Sequence, residues 1–92
     1  MKSYFDFQGL TNVSPQRVAR GTFLALDRLQ QFKPHEQAAA AAVLLLTICE
    51  TCGVEPQDVF VPVKNLLMDE REGKREQFQA VRMYAENELA KQ

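Results

Sequence analysis

The sequence predicts an all-α fold, a compact bundle of four helices with an aromatic N-terminal arm, and three observations carry that expectation. Residues 38–48 are five alanines followed by Val43, Leu44, Leu45, Leu46, Thr47 and Ile48, a run apolar on every side of a helix, and such a helix has to be buried. Prolines stand where helices start, at Pro15 after Ser14, at Pro34 and at Pro56 after Glu55. Elsewhere the apolar residues recur at spacings of three and four, the period of a helix with one covered face.

The arm is residues 1–13, and the helical domain occupies residues 14–92. Tyr4, Phe5, Phe7 and Leu10 precede any helix signal and carry more apolar area than a solvated tail needs. They either cover an open edge of the bundle or anchor a partner. Ser14-Pro15 opens a first helix running from 15 to about 31, with the serine hydroxyl as cap and proline at the first helical position. Its core face is Val18, Ala19, Thr22, Phe23, Ala25, Leu26, Leu29 and Phe32. Pro34 forces a sharp corner, because the residue before a proline disfavours helical geometry. The second helix then runs to residue 51 or 52, where Gly53 suits the left-handed conformation that ends helices. It is expected to be the least exposed element, with Leu45 deeply buried.

A third helix is expected over 56–68, with Pro62 producing a kink or a late helix start because it lacks a backbone donor. Gly73 marks the charged stretch 69–76 as the best loop. A last helix over about 74–90 places Phe78, Val81, Ala85 and Leu89 on one face, with Tyr84 beside them, a stripe suited to packing on the second helix.

Ninety-two residues suit one domain with a modest core, for which self-association is a natural supplement. The apolar run is well short of the roughly 20 residues needed to span a bilayer, and the first ten residues lack a secretion-signal pattern. The expected location is therefore the cytoplasm, with no membrane partner. A formal net charge of −1 offers no bulk attraction to nucleic acid. The charges are nevertheless segregated. Lys2, Arg17, Arg20, Arg28 and Lys33 make the first third basic, whereas Glu36, Glu50, Glu55 and Asp58 stand in residues 34–63 without a lysine or arginine.

Chemistry-bearing patterns are sparse. Cys49 and Cys52 have the spacing of a zinc or thiol-exchange pair, but zinc needs four ligands and no other cysteine is present. Such a redox pair usually begins a helix after a strand, whereas this one ends a helix. Cys49 is read as a small buried residue. His35 lacks a nucleophile nearby and is read as helix-start surface. Neither a phosphate-binding glycine loop nor a paired-carboxylate site occurs, so no enzyme, metal or cofactor is expected, and a metal or redox protein built on the Cys49–Cys52 pair is kept only as the second alternative. Cys49, Gly53, Val54 and Val59 fall in a helix-turn-helix register, which makes a DNA-binding regulator the alternative, with residues 56–64 as its recognition helix. Glu55, Asp58 and Pro62 argue against it.

The stretch Gly53-Val-Glu-Pro-Gln-Asp-Val-Phe60, followed by Lys64-Asn-Leu-Leu-Met68 and by residues 78–89, resembles small helical proteins of tailed bacteriophages. The resemblance implies an accessory or host-modulating viral protein acting in the bacterial cytoplasm, and its motifs are corner and packing residues. Leu24 gives the sharpest candidate site. It sits opposite the core stripe among Arg17, Arg20 and Arg28, and an apolar centre with a guanidinium rim suits an interface. The expected partner-binding residues are these four with Tyr4, Phe5 and Phe7. The expected partners are a second copy and a bacterial host protein, with nucleic acid less favoured.

Overall fold

A computed structural model describes residues 5–69 and 73–88 of the chain. Its elements in order are α1 (Phe7–Thr11), α2 (Pro15–Leu29), α3 (Pro34–Cys52), α4 (Pro56–Leu67), β1 (Met68–Asp69), β2 (Gly73–Lys74) and α5 (Glu76–Glu88). The class is all-α, as the sequence predicts.

The helix starts follow their local chemistry. Asp6 caps α1 by accepting from the Gly9 amide at 2.8 Å, so part of the expected arm is a short helix. The Ser14 hydroxyl accepts from the Arg17 amide at 3.3 Å to open α2. At the head of α3 the Lys33 amide donates to the Glu36 carboxylate at 2.8 Å. Gly53 ends α3 at φ 71°, in the left-handed region where a side chain would be strained. Val54 then donates back to the Cys49 carbonyl at 2.8 Å. Pro62 neither stops α4 nor delays its start, because α4 begins at Pro56 and continues to Leu67.

The expected loop contains a two-residue antiparallel ladder, with Met68 paired to Lys74 and Asp69 to Gly73. Gly73, at φ 85°, takes a backbone conformation that L side chains rarely adopt. Arg75 closes the end of α4, its amide donating to the Leu67 carbonyl and its Nε to the Leu66 carbonyl.

Two small cores hold the elements together. Ala19 of α2, Leu66 of α4 and Phe78 of α5 form one, supported by Val13, Val18, Leu67 and Val81. The other joins Cys49 of α3 with Val54 and Val59, supported by Phe5, Leu10, Leu45 and Val63. α5 packs on α2 and α1 packs on α4. The expected packing of the last helix on α3 is therefore replaced by packing on α2. Leu89, the last residue of the expected stripe, lies outside the described residues.

α3 is where the structure departs most from expectation. Its contacts are chiefly with α4, and it does not lie along α2 or α5. Only Gln37 and Cys49 of its residues are buried, and Leu45 is half-buried. The expected central helix thus lies on the outside, because too little chain remains to surround it once α2, α4 and α5 have paired. For the same reason Ala25 and Phe32, assigned to the core stripe of α2, are exposed.

Candidate functional site

At about 100° per residue, α3 has two unlike sides. Gln37, Leu45, Cys49 and Cys52 turn toward the rest of the chain, where all four are buried or half-buried. The rest of the apolar run is exposed, with Val43 and Leu46 opposite that sector, Leu44 beside it, and Ile48, Ala38 and Ala41 within it. Val43 is 63% exposed, Leu44 57%, Leu46 52% and Ile48 46%, and the five alanines are also exposed. An isolated surface leucine needs no explanation, whereas a large exposed apolar patch is a common feature of interaction surfaces.

The whole chain carries the same signature. Its accessible surface is 7326 Å² at 10.5 kDa, against about 5,400 Å² for a folded monomer of that mass. Its radius of gyration is 14.1 Å, against about 12 Å for a compact domain of this length. The molecule measures 40 × 34 × 19 Å. A flat shape with an apolar helix on its outside leaves surface that a second body can cover.

One polar residue on α3 is buried, and it fixes how α3 leaves α2. The Gln37 amide nitrogen donates to the Leu29 carbonyl at 2.8 Å and to the Phe32 carbonyl at 2.9 Å. These lie at the end of α2, where carbonyls have no partner within the helix. The corner is thereby held, and the rest of α3 projects from it.

A second surface lies between α2 and α5. Phe23 and Tyr84 meet edge to face with ring centroids 5.5 Å apart, and the Gln30 amide donates to the Tyr84 hydroxyl. Beside them is an open groove of about 610 Å³, lined by Arg20, Leu24, Asp27 and Ala80 among others. Two of the expected binding residues, Arg20 and Leu24, therefore share one groove, and Leu24 is 59% exposed. Arg17 and Arg28 are exposed on the same helix without lining it.

The expected aromatic anchors separate. Phe5 is half-buried against the core around Cys49, and Phe7 is 46% exposed with its ring 4.9 Å from that of Phe5. Tyr4 lies outside the described residues. Phe5 thus supports the fold through the α1–α4 edge, and Phe7 is the anchor left free.

The α3–α4 corner has the geometry of a helix-turn-helix. The two axes are bent by 118° across residues 53–55, within the range typical of that motif, and Cys49, Val54 and Val59 are buried at its hinge. Its chemistry is different. α4 exposes Gln57, Asp58, Phe60 and Val61 before Lys64, a face whose acid and apolar bulk suit neither phosphates nor base edges. Cys49 is 2% exposed and Cys52 half-buried, both as free thiols. Among the described residues, no three His, Cys, Asp or Glu side chains converge as a metal site, and His35 is exposed at the start of α3.

No single helix among the described residues is long and apolar enough to cross a membrane. The exposed apolar residues that the sequence reading placed in the interior are Val43, Leu44, Leu46 and Ile48. Their signal was present in the run itself, but it was assigned to the interior of one chain. No protein-family model, curated protein or solved structure matches this chain.

Proposed function

We propose that this chain is a non-enzymatic, self-associating helical interaction protein, and that the four-helix packing expected of its sequence is completed between copies. The observation that supports this is the uncovered apolar surface of α3, where Val43, Leu44, Leu46 and Ile48 stand about half exposed. Fully burying such a side chain contributes about 1.5–3 kcal/mol, so covering the half-exposed Val43 and Leu46 that share one face recovers roughly 1.5–3 kcal/mol per copy. A symmetric contact recovers twice that, against at least about 4 kcal/mol for lost freedom on association. The arginine-rimmed face around Leu24 is then free for an acidic protein surface. The aromatic arm supplies Phe7 as an additional anchor. This is the behaviour of a small accessory or host-modulating factor of the phage type, working in the bacterial cytoplasm.

Sedimentation equilibrium tests the reading. Wild-type protein is expected to exceed 10.5 kDa as its concentration rises through the micromolar range, while Leu46→Glu stays at the monomer mass with unchanged helicity. A wild-type mass that stays at the monomer value throughout contradicts it.

The 118° corner between α3 and α4 favours a second reading, a small DNA-binding regulator. That reading expects retention on duplex DNA that falls steeply with salt. The acidic and apolar face of α4 weighs against it.

A further inference from the structure

We propose that α3 pairs with α3 of a second copy in antiparallel orientation, the alanine half of each helix lying against the large apolar half of the other. The proposal rests on the self-association reading and adds its surface and its direction.

Side-chain size along the helix carries the direction. α3 is 19 residues, about 28 Å long, and its bulk is unevenly distributed: residues 38–42 are all alanine, and Val43, Leu44, Leu46 and Ile48 follow. Parallel pairing would set alanine against alanine at one end and leucine against leucine at the other, so the helices would splay. At about 100° per residue Ala39, Ala42, Val43 and Leu46 share one face, with Leu44 and Ile48 on the other side, and antiparallel pairing on that face sets small residues against large ones and keeps the spacing constant, which is the condition for close packing.

Charge selects the same direction. The first end of α3 carries exposed Lys33 and His35 beside Glu36, whose carboxylate is engaged by the Lys33 amide. The other end carries exposed Glu50, with Glu55 just beyond it and no base. Antiparallel pairing brings Lys33 of each copy toward Glu50 of the other and opposes the helix dipoles favourably. Parallel pairing would stack Glu50 on Glu50.

The chain as a whole exposes about 1,900 Å² more than a monomer of its mass, the difference between 7326 Å² and the roughly 5,400 Å² expected, an excess not confined to α3. An interface of ordinary size takes about 800 Å² from each partner. A lipid surface would cover the same face, but it would not account for complementary halves and complementary ends.

Site-directed disulfides test the direction in a Cys49→Ala, Cys52→Ser background whose helicity is first confirmed by circular dichroism. Ala39→Cys and Leu46→Cys are made as separate chains. Under mild oxidant, a mixture of the two is expected to give a covalent dimer and each alone to give little. In the antiparallel pair, copies of residue 39 lie about 10 Å apart along the axis, beyond the roughly 7 Å that a disulfide can bridge. Efficient crosslinking of Ala39→Cys alone indicates parallel pairing and overturns the proposal. Non-covalent dimers without either crosslink place the contact elsewhere and also overturn it. A monomer at every concentration defeats the self-association reading itself, and co-sedimentation of that monomer with anionic vesicles assigns the face to lipid.

Should the cysteine-free background not fold, charge exchange in the native chain decides. Lys33→Glu and Glu50→Lys should each weaken association a few-fold, and the two together should restore it. Failure of the double variant to recover rejects the antiparallel pair.

Discussion

α2 and α3 are consecutive helices of similar length, and their sequences announce burial in different ways. α2 has a sided pattern, and the structure covers that side: Ala19 is buried, and Val18, Thr22, Phe23, Leu26 and Leu29 are half-buried, while Arg17, Arg20, Leu24 and Arg28 face outward. α3 has no polar side over residues 38–48, and the structure leaves most of it bare. A one-sided pattern states which face the chain itself will cover. An apolar pattern without a side states only that cover is needed, and the described residues of this chain do not supply it.

That contrast yields predictions of graded size. The largest concerns the core that α2 shares with α5. Phe78→Ala should cost about 3–5 kcal/mol in urea unfolding, because Phe78 is 5% exposed and packs on Ala19 and Leu66. In dilute protein Leu44→Ala should cost less than about 0.5 kcal/mol, the range of surface substitutions. Similar losses from the two changes would mean that α3 is covered within one chain after all.

Next in size is the polar joint between the two helices. Gln37→Leu removes the side-chain donor to the Leu29 and Phe32 carbonyls, of which Leu29 keeps the Phe32 amide, and should cost about 0.5–1.5 kcal/mol, the range for a lost hydrogen bond. A neutral effect would show that the corner is held without the Gln37 side chain. Ser14→Ala should cost about 1 kcal/mol, since its hydroxyl caps α2.

The smallest stability change is expected at Leu24, which is 59% exposed. Leu24→Glu should shift stability by less than about 0.5 kcal/mol and leave the associated mass unchanged in light scattering, because self-association is assigned to α3. Loss of the assembly in this variant would reverse the roles of the two surfaces.

Much of the fold was legible because local chemistry decides it. Ser14-Pro15, Pro34, Gly53 and Glu55-Pro56 place helix boundaries through capping and backbone geometry, which do not depend on distant packing. The partner of each helix was less legible. The stripe of Phe78 and Val81 fits α2 as well as α3, and a periodic stripe does not state which helix it meets. Pro62 was read as a kink or a late helix start, whereas α4 begins at Pro56 and continues through it, with Val59 and Leu66 on either side both buried so that their packing offsets the one lost backbone bond. Of the candidate site, the Leu24 face was readable from its arginine surround. The α3 surface was not, because apolar residues look alike in sequence whether their cover comes from the same chain or from another.

Amide hydrogen exchange on the unmodified protein, followed across residues 38–48 as concentration rises through the micromolar range, tests the central claim most directly. An uncovered helix opens more readily than a covered one. Exchange across this segment is therefore expected to slow with concentration, while amides near Ala19 and Phe78 change far less. Exchange in α3 that is slow and independent of concentration would show that the chain covers this helix by itself, and fast exchange at every concentration would show that no second copy covers it.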